Sequence, residues 1–525
     1  YFVSCMQKAM RYHFTLLILV VFFRTTFAQF DIITIEDSDY PQEPTIMMDY
    51  TNPARMMAAI NTDRSYYSLD TGRTWTQTIN YSAFGIAGDP VLMCDTNGSF
   101  YYLHLSGSVN WLDRIVAQRI DSLPGDWAVD SYMGLNGSKD QDKEWGTVDR
   151  STNNLYVTWT EFDQYGSSNS SDSTRIMFSK STDLGLTWSE AMQINEVSGN
   201  CVDDDLTTEG AVPCVGPEGE IFVSWAGPAG LVFDRSLDMG ETWLTEDIFI
   251  DSIVGGWSLD IPGIYRCNGM PITKCDTSGG AYHGTIYVNW TDQRNGEDDT
   301  DVWLSKSTDH GDTWTEPIRV NNDPAGGHQF FTWMDIDQVT GKIYVVFYDR
   351  RNTTGNYTDF YMAVSDDGGE TFENIQLNTV SFLPGENVFV GDYTNIVAFN
   401  GIVRPIWVDM NGVELSIKTA LIEDTSVVGT RDHIFPKQNS LRVYPNPVDF
   451  TTKMSMNLLE NGIASLDIYD LQGRKVVNIF SKKRYTAGKY VIDFGSYVDV
   501  LVPGHYVLML RINGTRKKTQ SFIVD

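Results

Sequence analysis

Acidic, basic and aromatic side chains recur in short segments that lead into apolar, strand-like runs of this 525-residue chain. Aromatic faces stack on the C–H surface of sugars, and carboxyl groups hydrogen-bond hydroxyls or transfer protons. If the fold gathers these segments at one cleft they predict a glycan site; the alternative is that they hold neighbouring strands together. The candidates are Asp89, Lys143, Glu144, Trp145, Glu209, Asp260, Arg266, Trp333, Asp392 and Tyr393.

Two further segments, TDQRNGEDDTDVW and YDRRNTTGNYTDFY, share a pattern in which an aspartate precedes an arginine by two positions. Because the pattern occurs twice, it favours ion pairs within each loop, and Arg294 and Arg351 are also candidates for substrate binding. The acidic run 298–301 has the oxygen ligands that calcium prefers, so calcium binding is one hypothesis for it; the alternative is a solvated acidic run, which is more common. No other metal or cofactor is predicted.

One eight-residue phrase, STDLGLTW at 181–188, returns in near copies that start at Ser68, Ser236, Ser307 and Ser365. Its aspartate can accept bonds from backbone N–H groups, and its glycine can adopt positive φ. Each copy lies between two alternating runs, so it predicts a hairpin turn. A degraded copy stands at Asp121–Trp127.

The spacing of these turns predicts repeated four-stranded antiparallel sheets of roughly 50 to 60 residues, a period typical of propeller blades. A seventh unit follows the last turn, with three strand-like runs. The strand DIITIED, near residue 31, has no partner of its own, and we expect it to complete that unit. An all-β, closed ring of seven blades over residues 30–422 is therefore predicted, with six blades as the alternative.

The phrase S-x-D-x-G-x-T-W resembles the Asp-box, or bacterial neuraminidase repeat, of sialidase-like β-propellers. The resemblance implies a secreted protein that acts on extracellular glycans, with an exo-glycosidase of the sialidase type as the expected enzyme class. It implies Tyr393 as nucleophile, Glu209 as its activator, and Asp392 and Arg266 as further catalytic residues. The Arg-Ile-Pro signature of that family is absent, so a non-catalytic propeller that binds an extracellular polymer or protein is the alternative.

The two ends of the chain carry export signals. Lys8 and Arg11 precede an apolar run from Phe14 to Phe23 that is too short to span a bilayer, and Ala28 fits a cleavage site. Residues 1–28 are therefore predicted to be a signal peptide. Together with the absence of a later long apolar run, this predicts an exported protein without membrane insertion.

The C-terminal residues 441–525 follow a polar connector at 423–440 and predict a small β-sandwich. The segments YPNPV, YDLQGRK and LVPGHY resemble the type A sorting domain of the bacterial type IX secretion system. The resemblance implies that the type IX machinery is a partner and that the protein is secreted or displayed at the cell surface.

Charge and cysteines complete the sequence-based expectations. Residues 29–435 hold 62 acidic and 22 basic residues, so nucleic acid and anionic membranes are excluded as partners. Close spacing makes Cys201 with Cys214, and Cys267 with Cys275, plausible disulfides, and leaves Cys94 unpaired.

Overall fold

The computed structural model describes residues 30–107, 111–411, 413–424, 440–444, 448, 452–458, 461–470, 473–486, 488–494, 497 and 500–524. The predicted signal peptide and nearly all of the predicted connector lie outside these residues. In the described part of 30–424 the regular elements are all β-strands. No helix that the structure describes is long and apolar enough to cross a membrane.

Strand β1 (Asp31–Glu36) precedes six groups of four strands, and each group forms an antiparallel sheet in chain order. The first three sheets contain β2 (Gln42–Met48), β3 (Met56–Asn61), β4 (Arg64–Ser68) and β5 (Thr76–Ile79); β6 (Gly88–Cys94), β7 (Phe100–Leu105), β8 (Ile115–Ile120) and β9 (Ala128–Met133); and β10 (Asp140–Val148), β11 (Leu155–Phe162), β12 (Thr174–Ser181) and β13 (Met192–Gln193).

The next three sheets contain β14 (Glu209–Val215), β15 (Ile221–Gly227), β16 (Gly230–Ser236) and β17 (Ile248–Asp251); β20 (Ile272–Cys275), β21 (Ile286–Asp292), β22 (Asp301–Ser307) and β23 (Ile318–Arg319); and β24 (Gln329–Ile336), β25 (Ile343–Asp349), β26 (Asp359–Ser365) and β27 (Glu373–Gln376). Between β17 and β20, the short strands β18 (Ser258–Leu259) and β19 (Cys267–Asn268) pair with each other.

The last sheet of this part joins the two ends of residues 30–424. It is formed by β28 (Asn395–Phe399), β29 (Ile402–Asn411) and β30 (Glu414–Glu423), and β1 adds to its edge in antiparallel register, with Asp31 opposite Leu421. The first strand of each sheet contacts the first strand of the next, and β28 contacts β2. In the described residues, seven four-stranded sheets thus succeed one another through their first strands.

Tryptophans of the second strands fill the space between sheets. Trp159, Trp225, Trp290 and Trp407 lie at corresponding places in β11, β15, β21 and β29, and each is at most 1% exposed. An aromatic side chain of this size buries a large apolar area, so each one stabilises the packing of a sheet against its neighbours. The recurring VTW, VSW, VNW and PIW segments are the sequence record of this packing.

The repeated phrase forms the turn between the third and fourth strands of a sheet, which confirms the predicted hairpins. In one copy, Ser236 Oγ donates to Asp238 Oδ1 at 2.7 Å, and Thr242 donates its N–H at 2.8 Å and its Oγ1–H at 2.7 Å to the same carboxylate. Gly240 has φ of 80° and lies against Phe178 of the preceding sheet. The turn aspartates therefore satisfy backbone groups.

The C-terminal part contains β31 (Ser440–Tyr444), β32 (Lys453–Leu458), β33 (Gly462–Asp470), β34 (Lys475–Tyr485), β35 (Gly488–Asp493), β36 (Gly504–Ile512) and β37 (Thr515–Val524). The strand orders are β31-β32-β35 and β34-β33-β36-β37. Met454 and Met456 of the first sheet join Leu466 and Leu508 of the second in one buried cluster. This is the packing of a two-sheet sandwich.

The structure does not bring either predicted disulfide pair together, and the five cysteines that it describes all carry free thiols. Cysteines that are close in sequence are not close in space here, because the side chain of Cys214 packs against residues of the adjacent sheet. Cys201 forms an isolated backbone β-bridge with Ser167. Cys214 packs together with Cys275 of the next sheet. Cys267 belongs to a different apolar cluster from Cys275.

Candidate functional site

Five first strands share a backbone irregularity near their beginning. The register against the second strand shifts there, and one residue adopts positive φ: Glu43, Asp89, Lys143, Gly210 and Phe331, with φ between 50° and 78°. A β-bulge re-aims a side chain, and positive φ is uncommon outside glycine. The bulges of three neighbouring sheets thus direct Glu43, Asp89 and Lys143 toward a common region.

Asp89, Lys143, Arg266 and Asp392 meet there, and we call these four residues the ionic cluster. Lys143 Nζ lies 2.7 Å from Asp392 Oδ2 and 3.2 Å from Asp89 Oδ2. Arg266 donates to both carboxylate oxygens of Asp392, at 2.7 Å from Nε and through a shorter contact from Nη2. Burial alone would raise the pKa of Asp392, but Lys143 and Arg266 outweigh it and lower that pKa.

Three buried carboxyl groups near the ionic cluster have a raised pKa, in contrast to the lowered pKa of Asp392. Burial raises the pKa of Glu43, Glu144 and Glu209 well above the usual value, and Asp89 adds to the effect for Glu43 and Glu144, as Asp203 does for Glu209. The Glu144 carboxyl group has no side-chain hydrogen-bond partner among the described residues, whereas a side-chain hydrogen bond with Asp203 adds to the raised pKa of Glu209. Carboxyl groups whose pKa is raised therefore lie beside a carboxylate whose pKa is lowered, which is the arrangement that distinguishes a proton donor from a charged partner.

Tyr393 lies beside the ionic cluster in an aromatic group. Its ring centroid is 5.0 Å from that of Trp145 and 6.2 Å from that of Trp333, and the two tryptophans are 4.4 Å apart. The Tyr393 hydroxyl is buried without a partner in the described structure. Burial, and then Asp89, raise the pKa of Tyr393, so the phenol is protonated at neutral pH.

Four aromatic residues, Trp111, Tyr165, Tyr265 and Phe389, lie around the outer side of Arg266, and we call them the aromatic rim. The Arg266 guanidinium lies over Phe389 at 4.8 Å, and Phe389 contacts Tyr265 edge to face. On the other side, Tyr165 contacts Trp111. Trp111 is 56% and Tyr265 59% exposed, and the side chain of Arg266 is 41% exposed.

Asp203 connects the two sides of the rim. It accepts a hydrogen bond from the Tyr165 hydroxyl at 2.8 Å, and it lies 3.7 Å from Arg266 Nη1. Arg266 therefore stands between the exposed rim and the buried carboxyl groups, with a carboxylate on each side.

The structure brings most of the predicted site residues together: Asp89, Lys143, Glu144, Trp145, Glu209, Arg266, Trp333, Asp392 and Tyr393. The predicted substrate-binding residues Arg294 and Arg351 lie in their own loops, where they pair with Asp292 at 2.6 Å and Asp349 at 2.7 Å. Asp260 is exposed, in the segment between β18 and β19. The roles of all these residues stay predictions.

Glu43, Asp142, Asp203 and Tyr165 are members of the site that the sequence-based prediction missed. Burial raises the pKa of Asp142 to about 7, and its Oδ1 accepts the Lys143 N–H at 2.8 Å. Glu43 had a detectable signal, because Glu43-Pro44 stands before its strand-like run as Asp89-Pro90 does in the following unit. Asp203 and Tyr165 lie in irregular segments without such a signal.

In the acidic loop at residues 298–301, a possible calcium site in the sequence, two carboxylates accept hydrogen bonds from neighbouring residues. Asp301 accepts bonds from Asn295 and Asn321, each at 2.6 Å, and Asp299 accepts one from the Gly326 N–H at 2.9 Å. No group of three or more His, Cys, Asp or Glu residues in the described regions could hold a metal ion. Calcium binding at this loop stays a prediction.

Trp145 and Trp333 also line an axial cavity of about 290 Å³. The first strands of all seven described sheets contribute to its wall, and Arg150 and Lys274 are also among its lining residues. Lys274 pairs with Asp335 at 3.2 Å, and the Arg150 guanidinium stacks on the ring of Tyr50.

Residues 442–525 match the family described as "Secretion system C-terminal sorting domain". This confirms the predicted sorting domain and indicates export to the cell surface or the extracellular space. No curated protein matches the chain.

Among solved structures, the chain is similar to the Hadza microbial sialidase Hz136, with 15% identity, 71% of this chain and 74% of that chain covered, and a TM-score of 0.40. A PL25 ulvan lyase is 12% identical, with 75% of this chain and 96% of that chain covered and a TM-score of 0.46. The Penicillium chrysogenum α-L-arabinanase is 15% identical, with 64% of this chain and 97% of that chain covered and a TM-score of 0.40. Likenesses at these identities and TM-scores identify neither a family nor an activity for this chain.

Proposed function

We propose that this protein is exported by the type IX secretion system and binds a neutral extracellular glycan at the aromatic rim. The sorting-domain match at residues 442–525 supports the export route. We further propose that residues 30–422 form a seven-bladed propeller of the sialidase-like Asp-box class, in which β1 closes the last blade. The five repeated turns and the contact between β28 and β2 support this architecture.

The observation that carries the binding proposal is the aromatic rim around Arg266. Exposed Trp111 and Tyr265 offer apolar faces, while Asp203 and Arg266 between them offer an acceptor and donors for sugar hydroxyls. Sugar sites combine such faces with a few convergent polar groups. An extended, low-charge polymer could contact both sides of the rim at once.

The charge of the site favours a neutral glycan over a sialic acid. Recognition of a sugar carboxylate needs a free bidentate cation, but Asp392 already occupies Arg266, and Asp89 and Asp392 occupy Lys143. Both cations of the site already have carboxylate partners, so a sugar carboxylate would have to displace Asp392 from Arg266 or Lys143. A sialidase specificity is therefore not part of the proposal.

The binding experiment measures the affinity of the secreted protein for neutral and sialylated oligosaccharides by calorimetry. Tyr265→Ala is expected to weaken neutral-glycan binding about fivefold, since a lost aromatic contact is worth about 1 kcal/mol. Tyr81→Ala is the matched control, because Tyr81 is an exposed tyrosine outside the rim. Equal affinity of Tyr265→Ala and the unmodified protein, or preference for sialylated sugars, would contradict the proposal.

A second candidate function is hydrolysis of the bound glycan, and the raised pKa of the carboxyl groups beside Asp392, whose own pKa is lowered, favours it. Glycosidases use one protonated and one charged group on either side of the scissile bond, and some use a tyrosine nucleophile. Tyr393 would attack the anomeric carbon, Glu209 would take the phenol proton and pass it to the leaving sugar oxygen, and water would then release the bound sugar and restore the phenol, with Asp392 and Arg266 as electrostatic partners. The raised pKa of Glu209 suits a group that accepts and returns a proton.

Reducing-sugar release separates this candidate from binding alone. If the protein hydrolyses glycans, Glu209→Gln and Tyr393→Phe should each abolish turnover while the affinity measured by calorimetry stays unchanged. Binding without turnover in the unmodified protein would exclude hydrolysis and leave the binding function. No cofactor is proposed for either function.

The export proposal is tested by deleting residues 441–525. The truncated protein should accumulate in the periplasm of a host with the type IX machinery, whereas the full chain should reach the medium or the cell surface. Normal release of the truncated protein would contradict an address function for this domain.

A further inference from the structure

Two of the buried cysteines face each other across the boundary between adjacent sheets. Cys214 of β14 lies directly opposite Phe222 of β15, and Cys275 of β20 lies directly opposite Ile286 of β21. Directly opposite residues share a face of their sheet. All four side chains belong to one buried apolar cluster, which also contains Phe233, so both thiols point into the space between these two sheets.

The register of the two sheets supports this placement. Ser224 of β15 and Thr273 of β20 join their hydroxyls at 2.6 Å, and the Ser224 N–H donates to Thr273 Oγ1 at 3.1 Å. Ser224 lies opposite Val212, two residues before Cys214, and Thr273 lies two residues before Cys275. Because side chains alternate with a period of two, the next layer on the same faces holds Cys275 on one sheet and Phe222 with its opposite residue Cys214 on the other.

The other cysteines lack such a partner. Cys94 packs with Leu92 and Phe100 in a different cluster, and Cys267 belongs to the large central cluster. Cys201 lies in the isolated backbone β-bridge with Ser167. Cys214 and Cys275 are also among the residues that line the axial cavity.

We propose that Cys214 and Cys275 become a disulfide after export, tying the sheet of β14 to the sheet of β20. The bond rests on the exported location, where disulfides form and persist, and not on glycan binding. The oxidant is the disulfide of a periplasmic thiol–disulfide oxidoreductase. One cysteine thiolate attacks that disulfide and displaces one of its sulfurs, and the second thiolate then displaces the enzyme from the mixed disulfide.

The exchange is balanced. Cys214 and Cys275 together lose two protons and two electrons, and the oxidoreductase disulfide takes them up to become two thiols. Burial raises the pKa of both thiols, and for Cys275 the nearby Cys214 adds to the effect. Thiolates are therefore scarce in the packed interface, and the exchange belongs to the stage of folding when the two sheets come together.

The direct experiment maps the thiols of the full-length protein purified from the medium. The protein is unfolded with an alkylating reagent and no reductant, digested and analysed by mass spectrometry. The expected result is a cross-linked pair of peptides containing Cys214 and Cys275, with alkylation at Cys94, Cys201 and Cys267. Alkylation of all five cysteines, or a cross-link between any other pair, would overturn the inference.

A stability measurement supplies an independent readout. Reductant should lower the thermal midpoint of the unmodified protein by several degrees, since the bond closes a long loop. The variant Cys214→Ala/Cys275→Ala should show no response, and the control Cys94→Ala should respond like the unmodified protein. A midpoint of the unmodified protein that is insensitive to reductant would contradict the cross-link. If the double variant does not fold, the peptide map of the unmodified protein still decides the question.

Discussion

Replacement of Asp392 by asparagine tests the ionic cluster most directly. The change removes the carboxylate that Lys143 and Arg266 share, and leaves the buried ammonium of Lys143 with Asp89 alone at 3.2 Å. Arg266 keeps only Asp203, at 3.7 Å. Breaking a buried ion pair by removing one partner costs about 3–5 kcal/mol, and the remaining partners place Asp392→Asn near about 3 kcal/mol.

The double variant Lys143→Met/Asp392→Asn is the decisive comparison. It removes the stranded cation together with the carboxylate. Replacing a buried ion pair by apolar residues often leaves the free energy of unfolding unchanged or raises it by about 1–4 kcal/mol. We therefore expect the double variant to be more stable than Asp392→Asn alone. Urea unfolding at pH 7, followed by tryptophan fluorescence, measures the free energy of unfolding of each variant.

The pH dependence of the same difference provides a control. Because the folded-state pKa of Asp392 is lowered, its stabilising contribution is present above the ordinary aspartate pKa and is lost as pH falls through the folded pKa. The difference between the unmodified protein and Asp392→Asn should therefore shrink in acid. A difference below about 0.5 kcal/mol at pH 7, or a double variant whose loss equals the sum of both single losses, would refute the described role of the cluster.

Three further predictions concern the scaffold, and unfolding free energies or midpoints measure each. Asp367→Ala should cost about 1–2 kcal/mol, because its carboxylate accepts from Ser365, Glu370 and Thr371, whereas Asp366→Ala, at an exposed position of the same turn, should change stability by less than about 0.5 kcal/mol. Gly240→Ala should cost more than Gly279→Ala; both glycines have φ near 80°, but a Cβ at Gly240 would lie 2.5 Å from Phe178, while Gly279 faces open space. Burial raises the pKa of Asp234 to about 8, so folding favours its protonated form and stability should fall as pH rises toward 8, and Asp234→Asn should flatten this slope. Equal losses within either matched pair, or an unchanged pH slope, would contradict the corresponding prediction.

The strand order was accessible from sequence because the turn phrase has position-specific physical roles. Aspartate and glycine are needed where Asp238 and Gly240 stand, so the same letters return wherever the turn returns. The site was only partly accessible. Arg266 and Asp392 are far apart in the chain, and no local pattern predicts that a guanidinium in an irregular segment will bind that carboxylate.

The predicted disulfide pairs that the structure does not bring together have the same physical origin. Pairing by closeness in sequence assumes that a hairpin joins the two cysteines, whereas Cys214 and Cys275 belong to neighbouring sheets and meet through sheet packing. The ion pairs of Arg294 and Arg351 were the contrary case, since each arginine and its aspartate are two residues apart and the loop pattern itself predicts the contact.

The bulges explain how a repeated scaffold can form a single site. The backbone shift at Glu43, Asp89, Lys143, Gly210 and Phe331 is common to five sheets, but the side chains differ at every one of these positions. If the bulge served only sheet packing, similar side chains would suit all five places, as tryptophan does in the second strands. The positions instead hold two acids, a base, a glycine and an aromatic ring. The recurring residues therefore stabilise the sheets, and the residues that differ between equivalent bulges determine the chemistry of the region they surround.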